Sequence, residues 1–396
     1  MTTATIALLP REPVIAFAAL PPLSLYVHIP WCVRKCLYCD FNSHEARGEL
    51  PERRYAQALM VDLERALPSV WGRRVHTVFF GGGTPSLLSA NTLDEILSGI
   101  RARVLLDPDA EITLEANPGT FESDKFAQFR RLGINRLSIG AQSFNARHLK
   151  ALGRIHNDHE ARRAIEIACT HFDNINLDLM YALPEQTQLD AEADIATAVE
   201  FAPQHISAYH LTLEPNTYFY RYPPLVPDEQ LAADMQDTIE GVLAEHGYVH
   251  YETSAFARSK RQSRHNSNYW LFGDYLGIGA GAHSKISFAE RIVRQMRWKH
   301  PREYLDRAAD QPVQQENAVS SAELPFEFMM NALRLVHGFS ARLFEERTGL
   351  PLITVRRELD EAERLGLLTR SVEEIVPTVR GQRFLNDLLQ LFMREP

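Results

Sequence analysis

The sequence predicts an α/β protein: a β/α barrel, partial or complete, followed by a smaller domain of winged-helix character. Three observations carry this. Six short β-rich runs recur from Leu25 to Leu211, each followed by a helical pattern. Beyond Pro227 that alternation stops. From Glu323 onward, three helical stretches, two short strands and a final helix take its place.

The strand-like runs are Leu25–Ile29, Val75–Phe80, Glu111–Glu115, Arg136–Ile139, Asn174–Leu179 and His205–Leu211. Between them, Glu52–Leu67, Asn91–Arg103 and Ser123–Leu132 repeat apolar residues near helical spacing. Ser123 reads as a helix cap, with Asp124 in the first turn. Strand–helix alternation selects a parallel sheet. Asp228–Gly247 reads as one long helix, and 248–319 as irregular. Then come helices over Glu323–His337, Ala341–Thr348 and Thr354–Leu365, strands over Leu367–Arg370 and Ile375–Val379, and a helix from Gly381. The expected organisation is a tail over 1–22, the barrel over 23–227, a linking helix and irregular basic region over 228–319, and the C-terminal domain over 320–396.

Composition narrows the function classes. With 45% hydrophobic and 23% charged residues among 396, the chain is neither collagen-like, mucin-like nor largely disordered. A net charge of -9 opposes whole-protein attraction to nucleic acid or anionic lipid. Residues 321–396 hold ten Arg and no Lys against twelve acids, which is not the footprint of a DNA reader. A packing or protein-contact role is expected there. No stretch approaches the roughly 20 apolar residues of a membrane span. The apolar run Pro13–Leu23 is short and broken by Pro21 and Pro22, and no Lys or Arg precedes Arg11 as a signal peptide would require. A cytoplasmic protein is expected.

Three of the four cysteines crowd into Cys32-Val33-Arg34-Lys35-Cys36-Leu37-Tyr38-Cys39. Three thiolates on one loop suit three irons of a [4Fe–4S] cluster and leave the fourth iron open for chemistry. The loop follows the first strand, which puts it at the C-terminal mouth of a barrel, where barrel active sites lie. Zinc is the competing reading, with His28 or His44 as fourth ligand, but a second CxxC pair is missing. Cys169 sits in a helical pattern and reads as a small core residue.

Tyr26-Val27-His28-Ile29-Pro30-Trp31-Cys32, with the CxxxCxYC spacing after it, resembles the radical S-adenosylmethionine (SAM) superfamily. Within it the chain is similar to the branch of oxygen-independent coproporphyrinogen III oxidase and its relative, the haem chaperone HemW. The resemblance runs from about residue 23 to 385. It implies a partial six-unit barrel with a C-terminal domain of the HemN type, the cluster on Cys32, Cys36 and Cys39, and SAM at its open iron. It also implies SAM contacts from Tyr26, from Gly82, Gly83 and Thr84 of the Phe79–Pro85 segment, and from Glu115, Gln142, Arg154 and Asp178, most of them near successive strand ends. Physically, glycines let backbone approach a polar ligand, and Arg154 can pair with a carboxylate.

Two features separate the relatives. The oxidase pattern carries a further cysteine after the third, as CxC; here Cys39 is followed by Asp40-Phe41-Asn42-Ser43. His265-Asn266-Ser267-Asn268-Tyr269 matches an HNxxY motif linked with haem, so His265 and Tyr269 are expected as haem ligands. Residues 258–302 carry ten Lys/Arg against Asp274 and Glu290, a local +8 suited to propionates or an acceptor surface. Tyr275–His283 is Gly-rich and, in the family, closes over the adenine side of SAM. The resemblance therefore implies a haem chaperone using a [4Fe–4S] cluster, SAM and haem. Its partners would be haem-acceptor proteins such as respiratory haemoproteins, and an electron donor. No catalytic residue and no coproporphyrinogen dehydrogenation are expected. The oxidase is the alternative.

Overall fold

Alternation along six strands decides the architecture. In Leu23–Ile29 (β1), Leu23, Leu25, Val27 and Ile29 are buried, while Ser24, Tyr26 and His28 take the other face. The same rhythm runs through Arg74–Gly82 (β2), Leu105–Ala116 (β3), Arg136–Gln142 (β4), Ile175–Tyr181 (β5) and His205–His210 (β6). Their apolar faces pack under the helices Glu52–Val70, Ala90–Arg103, Ser123–Leu132, Asp158–His171 and Gln188–Glu200. Successive residues of a strand point to opposite faces, so Arg136, Ser138, Asn176, Asp178, His205 and Ser207 turn inward together. The lumen is polar, where a purely structural barrel would fill it with branched apolar side chains. Capping boxes at Asn157/Glu160 and Thr187/Asp190 fix two of the helix starts.

The computed structural model describes residues 14–120 and 123–393. Its main sheet has twelve strands. The stretch expected to be irregular, 248–319, forms half of them: Val249–Glu252 (β7), Ala255–Ala257 (β8), Asp274–Ile278 (β9), His283–Phe288 (β10), Arg291–Arg297 (β11) and Val313–Val319 (β12). The order is β12-β11-β10-β9-β1-β2-β3-β4-β5-β6-β8-β7. β9 joins β1 in parallel, whereas β10–β12 and β7–β8 extend the two edges antiparallel. Apolar runs do not reveal all of these strands: Gln315–Ala318 of β12 is wholly exposed, and buried β8 is only three residues long. Two other expectations change in detail. The third strand begins at Leu105, and Ser123 lies inside the first helical turn, bonded to His171 Nε2 at 3.1 Å.

The C-terminal domain closes the gap of the open barrel. Thr253 N and Val336 N form hydrogen bonds of 3.0 and 3.1 Å across its seam with β7, and Arg294 of β11 pairs with Glu327. Phe272, Ile292 and Val319 join Phe328 and Met329 in one core. The expected two strands are joined by a third, Phe339–Ser340, in a small antiparallel sheet. Of the expected tail, 1–13 lie outside the described residues. The rest runs along the body: Ile15 is buried in the C-terminal core, Ala16 N donates to Gly349 O, and Phe17 N donates to Ala289 O, both at 3.1 Å.

Candidate functional site at the mouth of the barrel

The cluster loop leaves β1 and is pinned from several sides. Gly83 N donates to Ile29 O and Thr84 N to Trp31 O, each at 2.7 Å. A Cβ on Gly83 would lie 2.5 Å from Trp31 O, and Gly82 has φ +111°, so only glycine lets β2 end against this loop. Thr84 Oγ1 donates to Cys32 Sγ at 3.5 Å and accepts from Asn117 Nδ2 at 2.7 Å. Arg154 completes the chain, donating to Asn117 Oδ1 and Gly140 O at 2.7 Å and to Cys36 Sγ at 3.4 Å. A relay of side chains thus ties the first cysteine to the second. Arg154 Nε is buried without a partner among the described residues, a spare donor at the site.

All three thiols are half-buried, and burial raises the pKa of Cys32 and Cys39. Among the described residues no three His, Cys, Asp or Glu side chains converge as a single ion would require. Three thiols from one loop suit three corners of a four-iron cluster. His28, the suggested zinc ligand, is committed elsewhere: it accepts from Tyr26 OH through Nδ1 and donates through Nε2 to Asn42 O, both at 3.0 Å. His44 Nε2 bonds Asn42 Oδ1 at 3.3 Å. Cys169 is exposed, so its expected core role is corrected; it sits on the outer side of its helix.

Below the loop, Glu115 and Asp178 face the lumen from β3 and β5. Gly82 N donates to Glu115 Oε2 at 3.1 Å. Burial, then repulsion from Asp178, raises the Glu115 carboxyl to about 8. Burial also raises Asp178, against bonds from Ser138 and Asn176 of 2.8 Å each. Gln142 has φ +67°, a costly conformation for a side-chain-bearing residue, and it bends β4 at its end. The structure therefore gathers Tyr26, Gly82, Gly83, Thr84, Glu115, Gln142, Arg154 and Asp178 around the mouth. Two buried acids and a spare guanidinium donor match a ligand carrying an ammonium, hydroxyls and a carboxylate. Asn117, Arg136, Asn176 and Ser207 were missed by motif reading. Strict polar alternation in strands expected to be buried on both faces is the signal that finds them.

The HNxxY segment is not a loop but the helix Arg264–Trp270, and it plugs the floor of the lumen. Glu111 accepts from Arg264 N and His265 N at 3.2 and 3.0 Å, and Ser263 caps Asn266 N. His265 is 1% exposed. Its Nδ1 bonds Thr77 Oγ1 at 2.7 Å, and Tyr269 OH lies 3.2 Å from Nε2. Burial lowers its pKa to about 3, so it is neutral, and burial raises Tyr269 well above the ordinary phenol value. The cavity above is about 180 Å³ and is lined by Tyr26, Glu115, Arg136, Asp178, His265 and Tyr269, among others. Sites for drug-sized ligands run to about 300–1,000 Å³. As placed, both ring nitrogens of His265 are engaged in hydrogen bonds.

Part of the basic stretch is spent within the protein. Lys285 pairs with Asp274 at 2.9 Å, Arg297 with Asp62 at 3.2 Å, Arg294 with Glu327 and Arg264 with Asp109. Arg258 and Arg291 lie over the rings of Tyr248 and Phe288. Four of the ten cations thus have acidic partners, while Lys260, Arg261, Arg291, Lys299 and Arg302 are exposed. No helix among the described residues is long and apolar enough to cross a membrane.

A cysteine loop at the mouth of an open β/α barrel defines a radical SAM protein. Residues 26–198 match the model of the radical SAM superfamily, and 319–384 match that of the HemN C-terminal domain. The fold superposes with a TM-score of 0.80 on coproporphyrinogen III oxidase (HemN) from Escherichia coli, at 23% identity, covering 94% of this chain and 90% of that one. Heme chaperone HemW of E. coli K12 is 47% identical over 378 residues, 95% of this chain and 99% of that protein. The Haemophilus influenzae HemW is 44% identical over 95% of this chain and 99% of its own length, and that of Bacillus subtilis 33% over 94% and 99%. The chain belongs to the HemW haem-chaperone family of radical SAM proteins.

Proposed function

We propose that the protein carries haem to acceptor proteins in the cytoplasm, respiratory haemoproteins among them, with a [4Fe–4S] cluster on Cys32, Cys36 and Cys39 and SAM bound beside it. The observation that carries this reading is end-to-end similarity to the HemW chaperones, with Asp40-Phe41 where the oxidases continue to a further cysteine. Such a cluster, once reduced by an external donor, supplies an electron and an open coordination position. The chain's own residues do the rest. Arg154 holds the cluster loop to Gly140 and keeps Nε free for the ligand carboxylate. Glu115 and Asp178 receive its ammonium and hydroxyls, and give up any proton they hold when a cation arrives. Tyr26 and the Gly82–Gly83 backbone shape the remaining wall.

The test is direct. Anaerobically reconstituted, full-length protein takes up haem and hands it to an apo-haemoprotein. With SAM and reductant it forms no protoporphyrinogen IX from coproporphyrinogen III. Multiple turnover in that second assay would replace the carrier by the oxidase.

A further inference from the structure

One charged side chain in the lumen has no partner. Arg136 opens β4 and is 2% exposed, yet its guanidinium makes neither a hydrogen bond nor an ion pair among the described residues, and its Nε is fully enclosed. Other buried cations are matched, Lys285 by Asp274 and Arg297 by Asp62. A buried charge left unpaired is costly, and a guanidinium presents five donors in a planar fork. The registers Glu115↔Ser138 and Thr113↔Arg136 set Arg136 one inward-facing position deeper than Glu115. Its charge reaches across the floor: burial, and after it Arg136, lowers the pKa of both His205 and His265.

Arg136 lines the lumen cavity of about 180 Å³, and so does Asn266. Most other polar groups of that cavity are committed. A chain of hydrogen bonds runs from Ser207 through Asn176 and Ser138 to Asp178. Asn266 is different: its side-chain amide makes no hydrogen bond among the described residues, while Ser263 fixes its backbone N at 3.2 Å. The two acids of the cavity do not fill the place of a counter-ion. Asp178 acts on Arg136 only through space. Glu115, raised to about 8 by burial and then by Asp178, holds a proton at neutral pH. A guanidinium and an amide, both unused, therefore meet one small polar cavity.

We propose that this end of the lumen is a carboxylate site: the Arg136 fork grips the two oxygens of a short alkyl acid, and the Asn266 amide donates to one of them. The site goes beyond the carrier reading and does not depend on it. Guanidinium–carboxylate pairs are frequently bidentate, and charge assistance makes them strong. The cavity is smaller than the usual site for a drug-sized ligand, so it admits a short chain and excludes a macrocycle. The carboxylate then belongs either to a free short acid or to a propionate arm reaching in from a ring held outside.

The experiment titrates propionate into full-length, cluster-loaded protein and follows it by saturation-transfer NMR, with uncharged propionamide as control. The parent should bind propionate saturably and propionamide not at all. Arg136→Met should weaken propionate at least about tenfold and Asn266→Ala about threefold. If Arg136→Met does not fold, Arg136→Lys takes its place beside Asn266→Ala, and both must weaken binding. Protoporphyrin IX then tells the two sources apart: it displaces propionate if one of its arms enters the lumen, and leaves it bound if the ligand is a free acid. No saturable propionate binding in the parent, or equal affinity in the Arg136 variant, overturns the site. So does a loss of SAM binding in that variant as large as the loss of propionate, which would make Arg136 a contact of SAM's own carboxylate. A failure of haem transfer, by contrast, overturns the carrier reading and leaves this site standing.

Discussion

The two ends of one lumen obey different rules. At the floor, the groups touching His265 are committed to one another: Glu111 takes two backbone donors, Thr77 bridges His265 and Ser24, and Tyr269 reaches Nε2, although Arg136 Nε nearby has no partner among the described residues. At the mouth, capacity is left over: Arg154 Nε has no partner among the described residues, and Glu115 and Asp178 are two buried acids side by side. A closed network rigidifies, whereas an open one costs stability unless a ligand completes it. The histidine at the floor is held in a hydrogen-bonded network, while the mouth keeps a guanidinium donor and two acids in reserve.

The largest effect should come at the mouth. Cys36→Ser is expected to remove nearly all cluster iron and its absorbance, while the thermal unfolding of metal-free protein stays close to that of the parent. Equal destabilisation of the metal-free forms would blur the contrast between the ends. Next comes the floor: His265→Ala strands Thr77 and Tyr269 and opens a cavity, for an expected loss of about 2–4 kcal/mol in chemical denaturation. A loss within experimental error would mean the helix Arg264–Trp270 is not a structural plug.

The smallest effect is a pH slope. Glu115 titrates near 8 in the folded protein, above its ordinary value. A cationic ligand favours the carboxylate, so below that pH binding must expel a proton. SAM affinity is then expected to rise with pH by up to roughly tenfold per unit and to level off above about 8. Ligand-free stability should run the opposite way, falling as pH rises through the same range. Calorimetry of Glu115→Gln should show weaker binding and a flattened slope; an unchanged slope would assign the proton to another group.

Much of this was legible beforehand, and for definite reasons. The cysteine spacing, the glycines before Thr84 and the places of Glu115 and Asp178 on their strands are local patterns, and the fold turns both acids toward one lumen. The β10–β12 extension was not legible, because exposed β12 has no apolar run and β10 and β11 carry charged residues within theirs. Nor was the fate of the basic stretch, since the partners of Lys285, Arg294, Arg297 and Arg264 lie in sequence from 11 to 235 residues away.

By itself the chain determined its periodicities: alternation that builds a parallel sheet with a polar inner face, and three thiols confined to eight consecutive residues. Those depend only on near neighbours and on the pleat. Which donors and acceptors are already taken was decided by tertiary packing alone. Thr77 and Tyr269 engage both ring nitrogens of His265, whereas exposed His283 makes no side-chain hydrogen bond among the described residues. Hydrogen-bond satisfaction is a property of what surrounds an atom in three dimensions, and no spacing along the backbone encodes it.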